Sequence, residues 1–168
     1  MSATIRGAYS NWPRYNSELV KVVATLDDTT LAVQPAADRW PLWATIGHAA
    51  CQRVFWLCDV AGAPRVEGTP FPDAGNNCPG DDDLEHVLRA RQLVDALNST
   101  FSVVETCLDS WTLDSLAEEI GHPEWSGDWH PYTRGSVIQR VFAHDISHIA
   151  ELNEALGRLG LIQVDLWD

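Results

Sequence analysis

Apolar residues recur at helical spacing in four stretches of the chain, and the segments between them are polar or irregular. Trp12, Tyr15, Leu19, Val22, Val23 and Leu26 form the first stripe, opened by Pro13 in a first turn and running to about Asp28. From Pro41 to about Ala61 the chain is apolar nearly all round, which predicts a helix buried among others. A third stripe, Leu84, Val87, Leu88, Leu93, Leu97, Phe101, Val104 and Leu108, follows Asp81-Asp82-Asp83, read as an acidic first turn. The fourth, Val137, Val141, Ile149, Leu152, Leu156 and Leu159, ends at Gly157 to Gly160. This pattern predicts an all-α four-helix bundle with long inter-helix connections, a single domain over 1–168.

The connections carry their own signals. Thr29 to Arg39 holds a proline among polar residues and is expected to contain at most a turn of helix. Gly62 to Gly80 is rich in proline, glycine and asparagine and reads as a surface loop. Asp109 to Tyr132, with Trp111, His122, Trp125, Trp129 and His130, is aromatic and irregular, the composition of a lid or pocket wall. The tail from Leu161 is expected to fold back on the helices, and His86 is expected at the surface.

A formal net charge of −13 argues against sequence-independent nucleic-acid binding, which needs a cationic surface to displace counterions. It disfavours anionic membranes as well. Neither an apolar leader nor a run of about eighteen apolar residues is present, so the expected location is the cytoplasm. Cys51, Cys58, Cys78 and Cys107 show no C-x-x-C pair, as reduced core thiols would. The acidic cluster from Asp81 lacks the glycine and distal glutamate of a calcium loop.

Two histidines lie within the fourth stripe. At about 100° per residue, His148 stands about 40° around the axis from His144, one turn on, so both rings leave one face. Val137, Val141 and Ala155 share that sector, so it borders the core. Buried imidazoles need partners for their nitrogens; these are either separate hydrogen bonds or one shared metal ion. His48, in the middle of the buried second helix beside the small residues Ala44 and Thr45, is the candidate third ligand. Three neutral imidazoles leave one position of a tetrahedral zinc open, as in catalytic sites. Water or a thiol held there would be acidified.

These residues carry a family likeness. Trp40-Pro41 followed by Gly47-His48, together with His144-Asp145-x-x-His148, resembles the two signature blocks of the DinB/YfiT-like superfamily. The Tyr15-Asn16 start of the first helix and the tail are also similar. The resemblance implies a commonly dimeric four-helix bundle that binds a divalent metal such as zinc or nickel through His48, His144 and His148. It further implies a small-molecule substrate and, in some relatives, a low-molecular-weight thiol co-substrate used by S-transferases. Many relatives have Gly-Gln shortly after the last histidine, where this chain has Ala150-Glu151.

Other readings of the same residues remain open. The helix also resembles the H-E-x-x-H of zinc proteases, with Asp145 in place of glutamate; Asp145 is then either a base or an orienting partner of a ligand histidine. Cys51 or Glu151 could close the coordination shell and make a non-catalytic binding protein. Metal-activated water performing hydrolysis is a further alternative. Arg39, Arg53, Arg134 and Arg140 are the candidate partners of an anionic substrate.

Overall fold

The computed structural model describes residues 3–121 and 131–167. It is mostly helical. A 3-10 turn, Ile5–Tyr9, leads into α1 (Trp12–Val23), followed by α2 (Asp28–Leu31), α3 (Leu42–Val54), α4 (Ala90–Ser110), α5 (Leu113–Leu116) and α6 (Arg134–Arg158). A small sheet of β1 (Glu119–Gly121) antiparallel to β2 (Tyr132–Thr133) precedes α6 and adds strand to what the sequence predicts as all helix. Helix α3 packs against both α4 and α6, and α1 packs against α4. Among the described residues, no helix is long and apolar enough to cross a membrane.

The predicted helices are found, with informative differences at their ends. The first stops at Val23, and Asp27 then caps α2 by accepting from the Thr30 amide at 2.7 Å. The buried second helix continues from α3 through a π-helical segment, Phe55–Val60. Helix α4 begins at Ala90, nine residues after the predicted acidic start. The aspartates that looked like a first turn instead bind the backbone locally. Asp82 accepts from the Cys78 amide at 2.9 Å, and Asp83 accepts from the amides of Glu85 and His86 at 2.8 and 3.1 Å. Short acidic side chains compete with the helix for backbone donors, and here they win. Leu84 and Val87 are consequently exposed, as is His86.

The loop from Gly62 to Gly80 is more than surface. Phe71, Ala74 and Cys78 are buried in the core, so the loop lines the molecule's interior along α3. Gly47 permits that approach: a Cβ there would stand 3.1 Å from Pro79 and from Leu88. Gly80 adopts φ +88° with the Trp40 ring against it, a position that a side chain would fill. The tail does return to the helices. Val164 is buried and exchanges two hydrogen bonds with the Asn153 amide group at 2.7 and 2.8 Å, and Arg14 donates to the Leu166 carbonyl at 2.6 Å. The candidate lid residues His122, Trp125, Trp129 and His130 lie outside the described residues; Trp111 is buried.

Candidate metal centre

Helices α3 and α6 face each other along two stripes, each with one residue per turn. His48, Gln52 and Trp56 come from α3 and its π-helical extension, and His148, His144 and Arg140 come from α6. Where the stripes meet, three ring nitrogens converge. His48 Nε2 lies 3.2 Å from His144 Nε2, and His148 Nε2 lies 3.1 Å from the same atom. His48 is buried and the other two are half-buried.

The opposite ring nitrogens fix the tautomers. His48 Nδ1–H donates to the Pro79 carbonyl at 3.1 Å, and His148 Nδ1–H donates to Glu151 Oε2 at 2.8 Å. Their Nε2 atoms are then bare lone pairs directed at His144. As an N–H, His144 Nε2 can satisfy only one of the two, whereas a cation among the three nitrogens would engage them all. Bonds of ~2.0–2.1 Å from one ion to two imidazole nitrogens at a tetrahedral angle put those nitrogens ~3.3 Å apart. The observed 3.1 and 3.2 Å fit such an ion, and His48, His144 and His148 are a three-histidine group able to hold it.

Electrostatics agree. Burial, then the neighbouring rings of His148 and His48, push the His144 pKa down to about 3, so this ring stays neutral. Burial lowers His148 too, against the opposing pull of Glu151. For His48, burial works downward, but the Cys78 sulfur, Asp81 and the Pro79 carbonyl together outweigh it and hold the pKa above its ordinary value. In the metal-free triad the first proton therefore settles on His48, and further protons are resisted by its neighbours.

The remaining sequence candidates fall into place around this centre. Glu151 partners the ring of His148, and its other oxygen accepts from Arg39 Nη1 at 2.8 Å. Asp145 points inward as its helical position predicted, but its oxygens take hydrogen bonds from Arg53 Nε at 3.0 and 3.1 Å and Trp12 Nε1 at 2.8 Å. Cys51 is buried, with its Sγ 3.8 Å from the Ala74 carbonyl.

Sequence reasoning passed over Cys78, whose Sγ lies 3.6 Å from His48 Nδ1 and accepts from Gln52 Nε2 at 3.5 Å. A hydrogen bond from Cys51 pulls the Cys78 thiol below its ordinary pKa against the effect of burial, with His48 and Gln52 acting in the same direction. Nothing in its spacing marked it, because it reaches His48 only through the loop that Gly47 admits.

A cleft of about 540 Å³ opens beside the triad, lined in part by Arg39, Trp40, Thr45, His148, Glu151 and Arg158. The Trp40 ring stands 4.8 Å from the His48 ring, centre to centre, and forms part of its wall. The half-buried His148 ring thus borders a space large enough for a small molecule.

Comparison with known proteins bears on this geometry. Residues 14–152 match the family model of the DinB superfamily. The crystal structure of a DinB-like protein from Bacillus cereus has a similar fold, with a TM-score of 0.71 at 17% identity, covering 99% of this chain and 100% of that one. No curated protein matches the chain.

Proposed function

The chain belongs to the DinB superfamily, and on that premise we propose that it is a divalent-metal-dependent enzyme whose three-histidine centre serves the transfer of a low-molecular-weight thiol to a small electrophilic substrate. The observation that carries the reading is the convergence of the three Nε2 atoms with two of the opposite nitrogens already engaged.

His48, His144 and His148 hold the ion, zinc or nickel in this reading, and all three are neutral donors. When bound, the dication supplies Lewis acidity, favouring the anionic form of a thiol at neutral pH. The chain's own residues do the rest. The Pro79 carbonyl and the Glu151 carboxylate orient two of the rings and make them better donors. Trp40, Leu42 and Leu152 give the cleft an apolar wall beside His148. Asp145 acts in this reading as an anchor: through Arg53 and Trp12 it sets the position of the α6 turn that carries His144. The fold is read as a four-helix bundle of α1, α3, α4 and α6, working as a cytoplasmic homodimer.

Metal analysis of purified wild type and the His144→Ala/His148→Ala variant tests the centre. Stoichiometric metal in the wild type and its loss in the variant are expected; equal retention by both would remove the central claim. A panel of small thiols with a generic electrophile then tests the chemistry. Turnover of the metal-loaded protein that requires thiol supports transfer, whereas ester or amide cleavage without thiol would replace it with hydrolysis. Loaded protein with neither activity would point to a binding protein.

A further inference from the structure

The four arginines that the sequence offers to an anionic substrate are not equivalent in the fold. Arg39 is paired with Glu151, Arg53 with Asp145 and Arg134 with Glu118, at N–O distances of 2.7 to 2.8 Å. Arg140 has no carboxylate partner among the described residues, in a chain with 24 acidic side chains. Its guanidinium instead lies 4.2 Å from the centre of the Trp56 ring.

That platform is itself fixed, since Trp56 is buried and donates through Nε1 to Gln52 Oε1 at 2.9 Å. A guanidinium stacked on an indole face keeps its in-plane donors free for an oxyanion.

Its place along the helices gives this meaning. Arg140, His144 and His148 succeed one another at every fourth residue of α6, opposite Trp56, Gln52 and His48 on α3 and its extension. The same seam that closes on the imidazoles at one level closes on the Arg140–Trp56 stack one turn away along α6 and two turns away along α3, a span of about 6 to 12 Å. A short extended molecule, with a metal-binding atom at one end and a carboxylate at the other, would bridge this span, the exposed and extended Arg140 side chain supplying part of the reach. The cation sits in an otherwise strongly acidic molecule, so a free anion meets local attraction only where an arginine is uncompensated.

We propose that Arg140 is the anion-recognising residue of the site, and that the ligand held at the three histidines carries a carboxylate that pairs with it. This rests on the metal–thiol reading above. It adds a substrate class, a carboxylate-bearing thiol, and a residue that selects it.

The test uses the full-length protein loaded with cobalt(II), whose thiolate charge-transfer absorption reports coordination directly. Binding of 3-mercaptopropionate is compared with that of its uncharged methyl ester. The acid-over-ester preference of the wild type is expected to fall ~10-fold or more in Arg140→Gln, as a charge-assisted pair would produce. Arg140→Lys should recover part of the preference, and Arg91→Gln, which removes a charge from α4, should leave the wild-type preference in place. Circular dichroism and cobalt stoichiometry establish that each variant is folded and loaded. The same preference in wild type and Arg140→Gln, or an equal fall in Arg91→Gln, would overturn the assignment. If cobalt binds but neither probe gives the thiolate band, the metal–thiol reading itself fails and takes this inference with it. A band from both probes with no role for Arg140 leaves that reading intact and removes only the anion site.

Discussion

His48 and Arg53 lie five residues apart on α3, and His144 and Asp145 are adjacent on α6, yet the two polar groups they form are built on opposite terms. Around Arg53 every contact is complementary. Its guanidinium meets both oxygens of Asp145, the Asn16 side chain at 2.9 Å and the Leu97 carbonyl at 3.1 Å, while Trp12 completes the carboxylate. Side chains of Arg53 and Asp145 are 1% and 2% exposed, so the pair has no water to fall back on and the protein supplies all of its partners. Around His144 the contacts are not complementary. Two acceptor nitrogens face the one Nε2 of His144, which as an N–H can satisfy only one of them, and the groups that orient their rings bind the far side. A closed network holds helices together, whereas an open one beside a cleft leaves ring nitrogens that could hold a metal ion. Adjacent positions on one helix can serve these two ends because successive side chains leave it about 100° apart.

Cutting the closed network has the largest effect. Asp145→Ala leaves the Arg53 charge buried without a counterion and is expected to cost about 3–5 kcal/mol in urea-unfolding stability. A loss below about 1 kcal/mol would show that the pair is dispensable to the fold. Replacing both partners, Arg53→Met with Asp145→Leu, should recover much of that loss.

Acid offers the next contrast. The folded pKa of His144 is depressed to about 3 from an ordinary 6.5, so the unfolded chain takes up the proton first. The contribution of this ring to metal-free stability is fully present above pH 6.5 and is lost as pH falls from there toward 3. His148 has the same sign, and His48, whose pKa is raised, opposes it in part. Urea midpoints of metal-free protein across this range should therefore decline with acid, and less steeply in His144→Leu. Identical profiles for wild type and variant would contradict the neutral, buried ring.

The group that orients His148 matters next. Glu151→Ala deprives His148 of its Nδ1 partner and is expected to weaken zinc affinity ~10–100-fold in a chelator competition. Glu151→Gln, which keeps an oxygen acceptor, should fall between. An Ala variant with wild-type affinity would mean that the carboxylate only decorates the cleft.

The smallest effect belongs to the rim. Arg39 is more than half exposed, and Arg39→Ala should change unfolding stability by only about 0–1 kcal/mol, because an exposed ion pair gains little over solvated charges. A cost like that of Asp145→Ala would erase the distinction between the buried pair and the exposed one.

Much of this was legible before folding. The stripes located the helices, and the fourth-residue spacing of His144 and His148 with a buried His48 named the three rings that the fold brings together. Glu151 was legible as a neighbour of His148, three residues on and within side-chain reach, but stood as a shell-closing ligand and not as the partner of the ring's Nδ1. The start of α4 was not: an acidic run suits a helix N-terminus, and only the placement of Cys78 decided that Asp82 would take a loop amide instead. Asp145 was legible as inward-facing but not as the partner of Arg53, because each has several polar residues at plausible positions.

By itself, then, the sequence determined periodicity: which faces are apolar, which rings share a face, which side chains on one helix meet. Those follow from the geometry of a single helix and need no partner. Tertiary structure alone decided everything that depends on a second element meeting the first. It brought the Pro79 carbonyl to His48 from a loop 31 residues away, engaged three of four candidate arginines and left Arg140 on Trp56. Local spacing is set by covalent geometry, whereas long-range pairing is chosen by the packing of the whole chain.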